Sequence, residues 1–178
     1  MIKKKSRNDQ VQGWYNQHGP ALVAYLCSVL GDRTSAEDVL QQVFLKLLKG
    51  NVEVTSEAVE AYLFRAVRNT ALNLARRNSR NTSLDTNRRE TEGAEQQWFE
   101  PPVELGYWST KLENAVRSLP AEQREILVMR IWGEMTFDEI ATVLDVSINT
   151  VTSRYRYAIG KLREMLQHFE VQNEPAAK

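Results

Sequence analysis

Cysteine and histidine are nearly missing from this 178-residue chain: Cys27 stands alone, and the only histidines are His18 and His168. No cluster of metal-ligand spacing can be assembled from them, and no glycine-rich loop that would cradle a phosphate accompanies them. The sequence therefore points away from an enzyme and calls for no cofactor and no metal. Cys27 falls among Leu22, Val23, Leu26 and Leu30 in a helical pattern, the setting of a core thiol in a reducing compartment. Lone histidines of this kind are expected at the surface. Long apolar runs are missing too. None approaches the roughly 20 residues of a membrane helix, so no membrane insertion is expected. The basic start, Met1 to Lys5, is not followed by the apolar segment of a secretory signal, which makes the cytoplasm the expected location. Val, Ile and Thr never alternate with polar residues long enough to suggest strands. Net charge is also absent, with 23 Lys and Arg against 23 Asp and Glu.

A zero sum hides an uneven distribution, and binding follows the local field. Between Ala61 and Arg89 stand Arg65, Arg68, Arg76, Arg77, Arg80, Arg88 and Arg89 against a single acid, Asp85. From Glu90 to Glu104 every charge is acidic, and from Ser147 to Arg163 the charges Arg154, Arg156, Lys161 and Arg163 meet no acid. Two basic stretches separated by an acidic one fit two contact surfaces on a polyanion, or two solvated helix faces; composition leaves both open.

The apolar spacing predicts an all-α protein of two small helical domains joined by a flexible linker. Trp14 to Leu30 is one periodic segment with a potential break at Gly19-Pro20, followed by a turn at Gly31 to Thr34. Ser35 and Asp38 then read as a capping pair opening a helix in which Val39, Val43, Leu47 and Leu40, Phe44, Leu48 form a wide buried face. Lys49-Gly50-Asn51 ends it. Glu57 to about Arg77 reads as a third helix, completing an N-terminal bundle over 1–77. Residues 78–108 lack periodicity and read as a linker. Its aromatics Trp98, Phe99, Tyr107 and Trp108 suit docking on a partner or on the nearest domain. The second domain spans 109–170, with Pro120 in the first turn of a helix that Gly133 stops, and 171–178 is a short polar tail.

Thr136-Phe-Asp-Glu139 is a capping box, and Thr136 to about Arg163 has helix-turn-helix spacing. Ala141 is small where two helices approach, and Ile140, Leu144, Val146 and Val151 fill the angle between them. Asp145 holds the turn site where glycine is common, at a cost of about 1 kcal/mol for left-handed geometry. Ser147 caps the second helix, leaving the amides of Asn149 and Thr150 at its positive end, suited to a phosphate. That helix buries Val151, Tyr155, Ala158 and Leu162 and exposes Asn149, Thr150, Ser153, Arg154 and Arg156. Asn and Arg side chains match adenine and guanine edges, while Lys161 and Arg163 suit phosphates. The segment reads as a DNA-binding element, with a plain helical hairpin as its rival.

Three stretches in one order carry a resemblance. Ala36-Glu-Asp-Val-Leu-Gln-Gln-Val-Phe44, Tyr62-Leu-Phe-Arg-Ala-Val-Arg-Asn69 with Ala71 and Arg76-Arg77, and Ser118-Leu-Pro-Ala-Glu-Gln-Arg124 leading into the helix-turn-helix resemble bacterial sigma factors of the extracytoplasmic-function group. Such factors have only the domains called region 2 and region 4. The resemblance implies a chain that joins core RNA polymerase and directs it to promoter DNA. By that resemblance Asp38, Gln41, Gln42 and Leu45 face the polymerase clamp, though an ordinary solvated face is an equal reading. Tyr62, Arg65, Arg68, Asn69, Asn73, Arg76 and Arg77 meet the −10 element, where an aromatic ring can stack on an unpaired base and arginines neutralise phosphates. Tyr62 as a core aromatic remains open. The −35 element falls to Ser147, Asn149, Thr150, Thr152, Ser153, Arg154, Arg156 and Lys161. A pocket for a flipped base is implied around Gly50 to Glu57. An anti-sigma factor is the implied regulatory partner, and a flexible linker would let the domains change arrangement to accept it. Two positions depart from the family pattern: Tyr62 replaces a frequent tryptophan, and Thr152 a frequent basic residue. The alternatives are a stand-alone helix-turn-helix regulator with a sensing or dimerising N-terminal bundle, and a helical interaction protein without a nucleic-acid role.

Overall fold

Apolar residues recurring every three to four positions drive the chain into helices. In the computed structural model, residues 6–50, 59–82 and 106–172 are described, with side chains over 6–50, 59–77 and 110–167. They form seven helices and, among the described residues, no strand: α1 Arg7–Leu30, α2 Arg33–Lys49, α3 Val59–Thr82, α4 Gly106–Ser118, α5 Ala121–Ile131, α6 Phe137–Leu144 and α7 Ile148–Gln172. No described helix is long and apolar enough to cross a membrane.

The first three helices form the N-terminal half. α1 begins at Arg7, well before Trp14, and runs unbroken through Pro20. Gly19 helps, because a residue without Cβ relieves the clash that proline imposes on its predecessor. Gly31 ends α1 in the left-handed conformation (φ 87°), its amide donating to the Cys27 carbonyl at 2.9 Å. The cap of α2 is Asp32, whose carboxylate accepts the Ser35 amide at 2.7 Å, so the expected Ser35–Asp38 pair is corrected to a cap three residues earlier. At the other end, Arg7 donates through Nε and Nη2 to the Leu47 carbonyl at 2.9 and 2.6 Å, a cation on the negative pole of α2. Val39, Leu40, Val43, Phe44 and Leu47 are buried as their spacing predicts, whereas Leu48 is exposed. His18 is another correction: it is buried, its Nδ1 3.5 Å from Glu60 Oε1, because α1 and α3 close over it.

Helices α4 to α7 form the C-terminal half around Val116, Leu119, Ile126, Leu127, Met129, Met135, Ile140, Val151 and Ala158. Pro120 is the N-cap of α5, one position before the expected first turn, and Ile131, expected among the apolar positions of that helix, is exposed. α3 and α4 extend into the stretch read as linker, reaching Thr82 and starting at Gly106. Residues 83–105, with Trp98 and Phe99, lie outside the described residues, as do most of the tail and the Asn51 to Glu57 part of the implied base pocket; the side chains of Tyr107, Trp108 and His168 do too.

The two halves share one core. α1 packs on α5, and α3 on α6. Tyr25 and Phe64, both fully buried, meet edge to face with ring centroids 5.4 Å apart. Gly133 lies against the far side of the Phe64 ring: a Cβ there would stand 2.7 Å from Phe64 Cζ and 2.6 Å from the Met129 carbonyl oxygen. The residue that carries left-handed geometry at this corner is Glu134 (φ 52°) rather than the glycine, so Gly133 serves close approach. Burying a phenylalanine side chain contributes about 1.5–3 kcal/mol, which helps hold the halves together.

Candidate nucleic-acid interface

The helix-turn-helix is built as its sequence directs. Thr136 Oγ1 accepts the Glu139 amide at 3.3 Å, and Glu139 Oε2 accepts the Thr136 amide at 2.7 Å, closing both arms of the capping box. Asp145 turns the chain in the left-handed region (φ 57°). Ile140, Leu144, Val151, Ala158 and Leu162 are buried; Val146 and Tyr155 are half-buried against the same core. Phe137 meets Tyr155 edge to face at 5.2 Å, with the Arg130 guanidinium 5.4 Å from the Phe137 centroid. These contacts fix α7 from beneath and set which residues look outward.

Of the expected −35 readers, Asn149, Arg156 and Lys161 are exposed, and Thr150, Thr152, Ser153 and Arg154 are half-buried. The Thr150 amide, expected to be available to a phosphate, is bonded to Ser147 Oγ at 3.1 Å, since the cap itself consumes it. Thr152 donates its hydroxyl to the Ile148 and Asn149 carbonyls, and Ser153 to that of Thr150, which turns both hydroxyl protons back on the helix. Arg154 pairs with Glu122 of α5 at 2.5 Å. Sequence reasoning missed Tyr157, which is 60% exposed and carries the Arg156 guanidinium 5.7 Å from its ring centroid. The signal was available, because Tyr157 lies one helical turn beyond Ser153 and two beyond Asn149.

On α3, Tyr62, Arg65, Asn69, Asn73 and Arg76 recur at i, i+3, i+7, i+11 and i+14, one stripe along the helix. Asn69, Asn73, Arg76 and Arg77 are exposed, and Tyr62 is half-buried with its side chain against the core. Arg65 and Arg68 are brought elsewhere: Arg65 Nη2 donates to the Thr142 carbonyl at 2.5 Å, and Arg68 Nε to Glu125 Oε1 at 2.7 Å. The Tyr25 hydroxyl donates to the same Glu125 oxygen. Burial, reinforced by the Glu125 carboxylate, pushes the Tyr25 hydroxyl well above its ordinary pKa and keeps it a donor. For Arg68, burial opposes the charge, but the bond to Glu125 outweighs it, so the guanidinium is held charged.

Between α2 and α3 runs a groove of about 590 Å³ whose lining includes Asp38, Gln41, Gln42 and Leu45, and also Asn73 and Arg77. The four polymerase-facing candidates thus lie together, and Leu45 is 53% exposed beside three polar side chains. An apolar side chain rimmed by hydrogen-bonding groups has the composition of a protein–protein contact, an apolar centre with a polar edge.

Comparison with known proteins identifies the family. Residues 14–81 match the family model Sigma-70 region 2, and residues 115–164 match Sigma-70, region 4. The chain is similar to the ECF RNA polymerase sigma factor SigL of Mycobacterium tuberculosis, 28% identical over 159 residues, covering 88% of this chain and 89% of that protein. It is also similar to the RNA polymerase sigma factor SigZ of Bacillus subtilis, 24% identical over 155 residues, covering 86% and 85%. Among solved structures, the fold matches the sigma factor RpoE of Bartonella quintana, in complex with the anti-sigma factor NepR, with a TM-score of 0.66 at 20% identity, over 89% of this chain and 97% of that one. CnrH, in complex with the cytosolic domain of CnrY, matches with a TM-score of 0.58 at 23% identity over 89% and 88%. A stand-alone regulator would not carry both sigma regions in this order along nearly the whole chain, and that reading is set aside. The chain belongs to the sigma-70 family, in its extracytoplasmic-function group, and is an RNA polymerase sigma factor.

Proposed function

We propose a division of labour among three faces. The groove holding Asp38, Gln41, Gln42 and Leu45 takes the polymerase clamp. The α3 stripe, from Tyr62 through Asn69 and Asn73 to Arg76 and Arg77, with Arg65 and Arg68 once released, meets the −10 strand. The outward face of α7 reads the −35 element, with Asn149, Arg154 and Arg156 at base edges, Ser147, Thr150, Thr152 and Ser153 beside them, and Lys161 on phosphate. The observation that carries this reading is the α3 stripe, where Arg65, Asn69, Asn73 and Arg76 share one exposed face opposite the buried Leu63, Phe64, Val67 and Ala71. Such a face offers both phosphate neutralisation and base hydrogen bonding.

Domain limits follow the same division: a region 2 unit over about 1–77, a linker over 78–108, and a region 4 unit over 109–170. We place the protein in the cytoplasm, where its polymerase would be. One solved relative was captured with an anti-sigma factor and the other with the cytosolic domain of CnrY. An equivalent partner for this chain suits the groove of about 710 Å³ where Tyr15, Gly19, Pro20, Val23 and Leu40 of the N-terminal half meet Trp132 of the C-terminal half.

Transcription in vitro with core polymerase on a library of genomic fragments tests the reading. Specific start sites are expected with the wild-type chain. Arg76→Ala/Arg77→Ala should lower promoter opening, and Leu45→Glu should lower polymerase binding without affecting DNA affinity. An Arg76→Ala/Arg77→Ala chain as active as wild type would refute the −10 assignment.

A further inference from the structure

A hydroxyl side chain on a DNA-reading helix ordinarily serves either polarity, because its proton rotates to suit the partner. Thr152 and Ser153 of α7 have lost that freedom. Thr152 Oγ1 donates to the Ile148 and Asn149 carbonyls at 3.0 and 3.1 Å, and Ser153 Oγ donates to the Thr150 carbonyl at 3.1 Å. Each hydroxyl has a single proton, and the helix takes it. What remains for a partner is lone pairs on two neighbouring oxygens, which accept and do not donate. Ser147 and Thr150 carry no such commitment: their hydroxyls bond each other at 2.8 Å, and either can be the donor.

The placement of the two oxygens suits contact with DNA. Ser153 stands one helical turn beyond the exposed Asn149, with Thr152 beside it, while the buried Val151, Ala158 and Leu162 hold the other side of α7. One turn further on is the exposed Arg156, its guanidinium 5.7 Å from the Tyr157 ring centroid. A guanidinium only donates, so Arg156 matches the O6 and N7 acceptors of guanine. The oxygens of Thr152 and Ser153 face the opposite requirement. Guanine O6 and N7, thymine O4 and phosphate oxygens all present lone pairs, which repel theirs. In the major groove only adenine N6 and cytosine N4 present an N–H.

We propose that Thr152 and Ser153 are specificity-determining residues that select an amino-bearing base, adenine or cytosine, at one position of the −35 element and disfavour guanine and thymine there. This inference rests on the −35 reading of α7 and adds to it the chemical class of base. It follows from the direction of three hydrogen bonds, since residue type alone leaves a threonine or serine able to meet any base.

The test uses holoenzyme assembled from the full chain and core polymerase, on a promoter recovered from the genomic library, with each base pair of the −35 element changed in turn. One position should accept adenine and cytosine on one strand and lose about three- to tenfold in transcription with guanine or thymine there. Purine in place of adenine at that position, which lacks only the N6 amino group, should lower transcription by a similar factor. Thr152→Val/Ser153→Ala removes both oxygens while keeping side chains of nearly the same shape, and should erase the preference at that position. The purine comparison needs no altered protein and decides if the double variant does not fold. An element with no such position, purine as active as adenine, or a preference kept by the folded double variant overturns the inference. Asn149→Ala and Arg156→Ala distinguish this failure from that of the underlying reading. If neither changes base preference anywhere in the −35 element, α7 is not its reader; if either does, the acceptor assignment alone has failed.

Discussion

Replacing Gly133 with alanine probes one of the contacts between the two halves. The added methyl would stand 2.6 Å from the Met129 carbonyl oxygen and 2.7 Å from Phe64 Cζ. Neither neighbour gives easily, the first being backbone and the second a fully buried ring. Among the described residues Gly31 is the only glycine with positive φ, so alanine at 133 meets no backbone strain and the whole cost is steric. Overpacking of this kind costs about 1–3 kcal/mol. Taking ~2 kcal/mol, and about 2–4 °C per kcal/mol for a chain of this size, the melting temperature should fall by about 4–8 °C. Scanning calorimetry and urea unfolding measure both quantities. A double-mutant cycle sharpens the test: Phe64→Leu shortens the opposing side chain, so the second substitution should be milder in its presence, with a coupling of about 0.5 kcal/mol or more. Strict additivity, or a melting temperature for Gly133→Ala within about 1 °C of wild type, would refute the claim that the close approach of Gly133 to Phe64 matters.

Other expectations follow from single residues. Asp145→Gly should stabilise the chain by about 1 kcal/mol in urea unfolding, because glycine takes the left-handed turn without a Cβ conflict. Thr136→Ala should cost about 1 kcal/mol by removing one arm of the capping box. Burial pushes the Cys27 thiol from 9.0 up to about 11. Below pH 9 it is protonated whether folded or unfolded; above that the unfolded chain ionises first, so stability falls by about 1.4 kcal/mol per pH unit until the folded thiol titrates. Cys27→Ala should remove that component of the alkaline slope, and an unchanged slope would exclude the thiol as its source. Arg154→Ala should weaken −35 recognition by about 1–3 kcal/mol in a promoter-competition assay if its guanidinium reads a base. Unaltered promoter choice would move the readout to Asn149, Arg156 and the exposed Tyr157.

Local patterns carried much of the reading because their causes are local. The Thr136–Glu139 box, the left-handed Asp145 and the Ser147 cap each depend on residues within four positions, and all three form as their residue types dictate. Residue type chose less well where neighbours competed. Ser35 lost the cap of α2 to Asp32, because a carboxylate one turn earlier accepts the same amide. Leu48 continues the apolar spacing of α2 yet is exposed, because it lies in an open groove beside Asn8, Val11 and Tyr15 of α1.

What the sequence determined by itself is the all-helical architecture, the order of the two sigma regions, and the basic and polar faces of α3 and α7. These follow from periodicity and from side-chain chemistry carried along single helices. Tertiary structure alone decided which members of those faces are available. It set Arg65 and Arg68 against α6 and α5, drew Arg154 back to Glu122, left Tyr157 in the open, and buried His18 between α1 and α3. Each of these outcomes except Tyr157 needs a partner many residues away: 57 positions separate Arg68 from Glu125 and 77 separate Arg65 from Thr142. No pattern along one helix encodes which distant carboxylate or carbonyl will close over it. Packing of the halves does, through a glycine small enough to admit a phenylalanine ring.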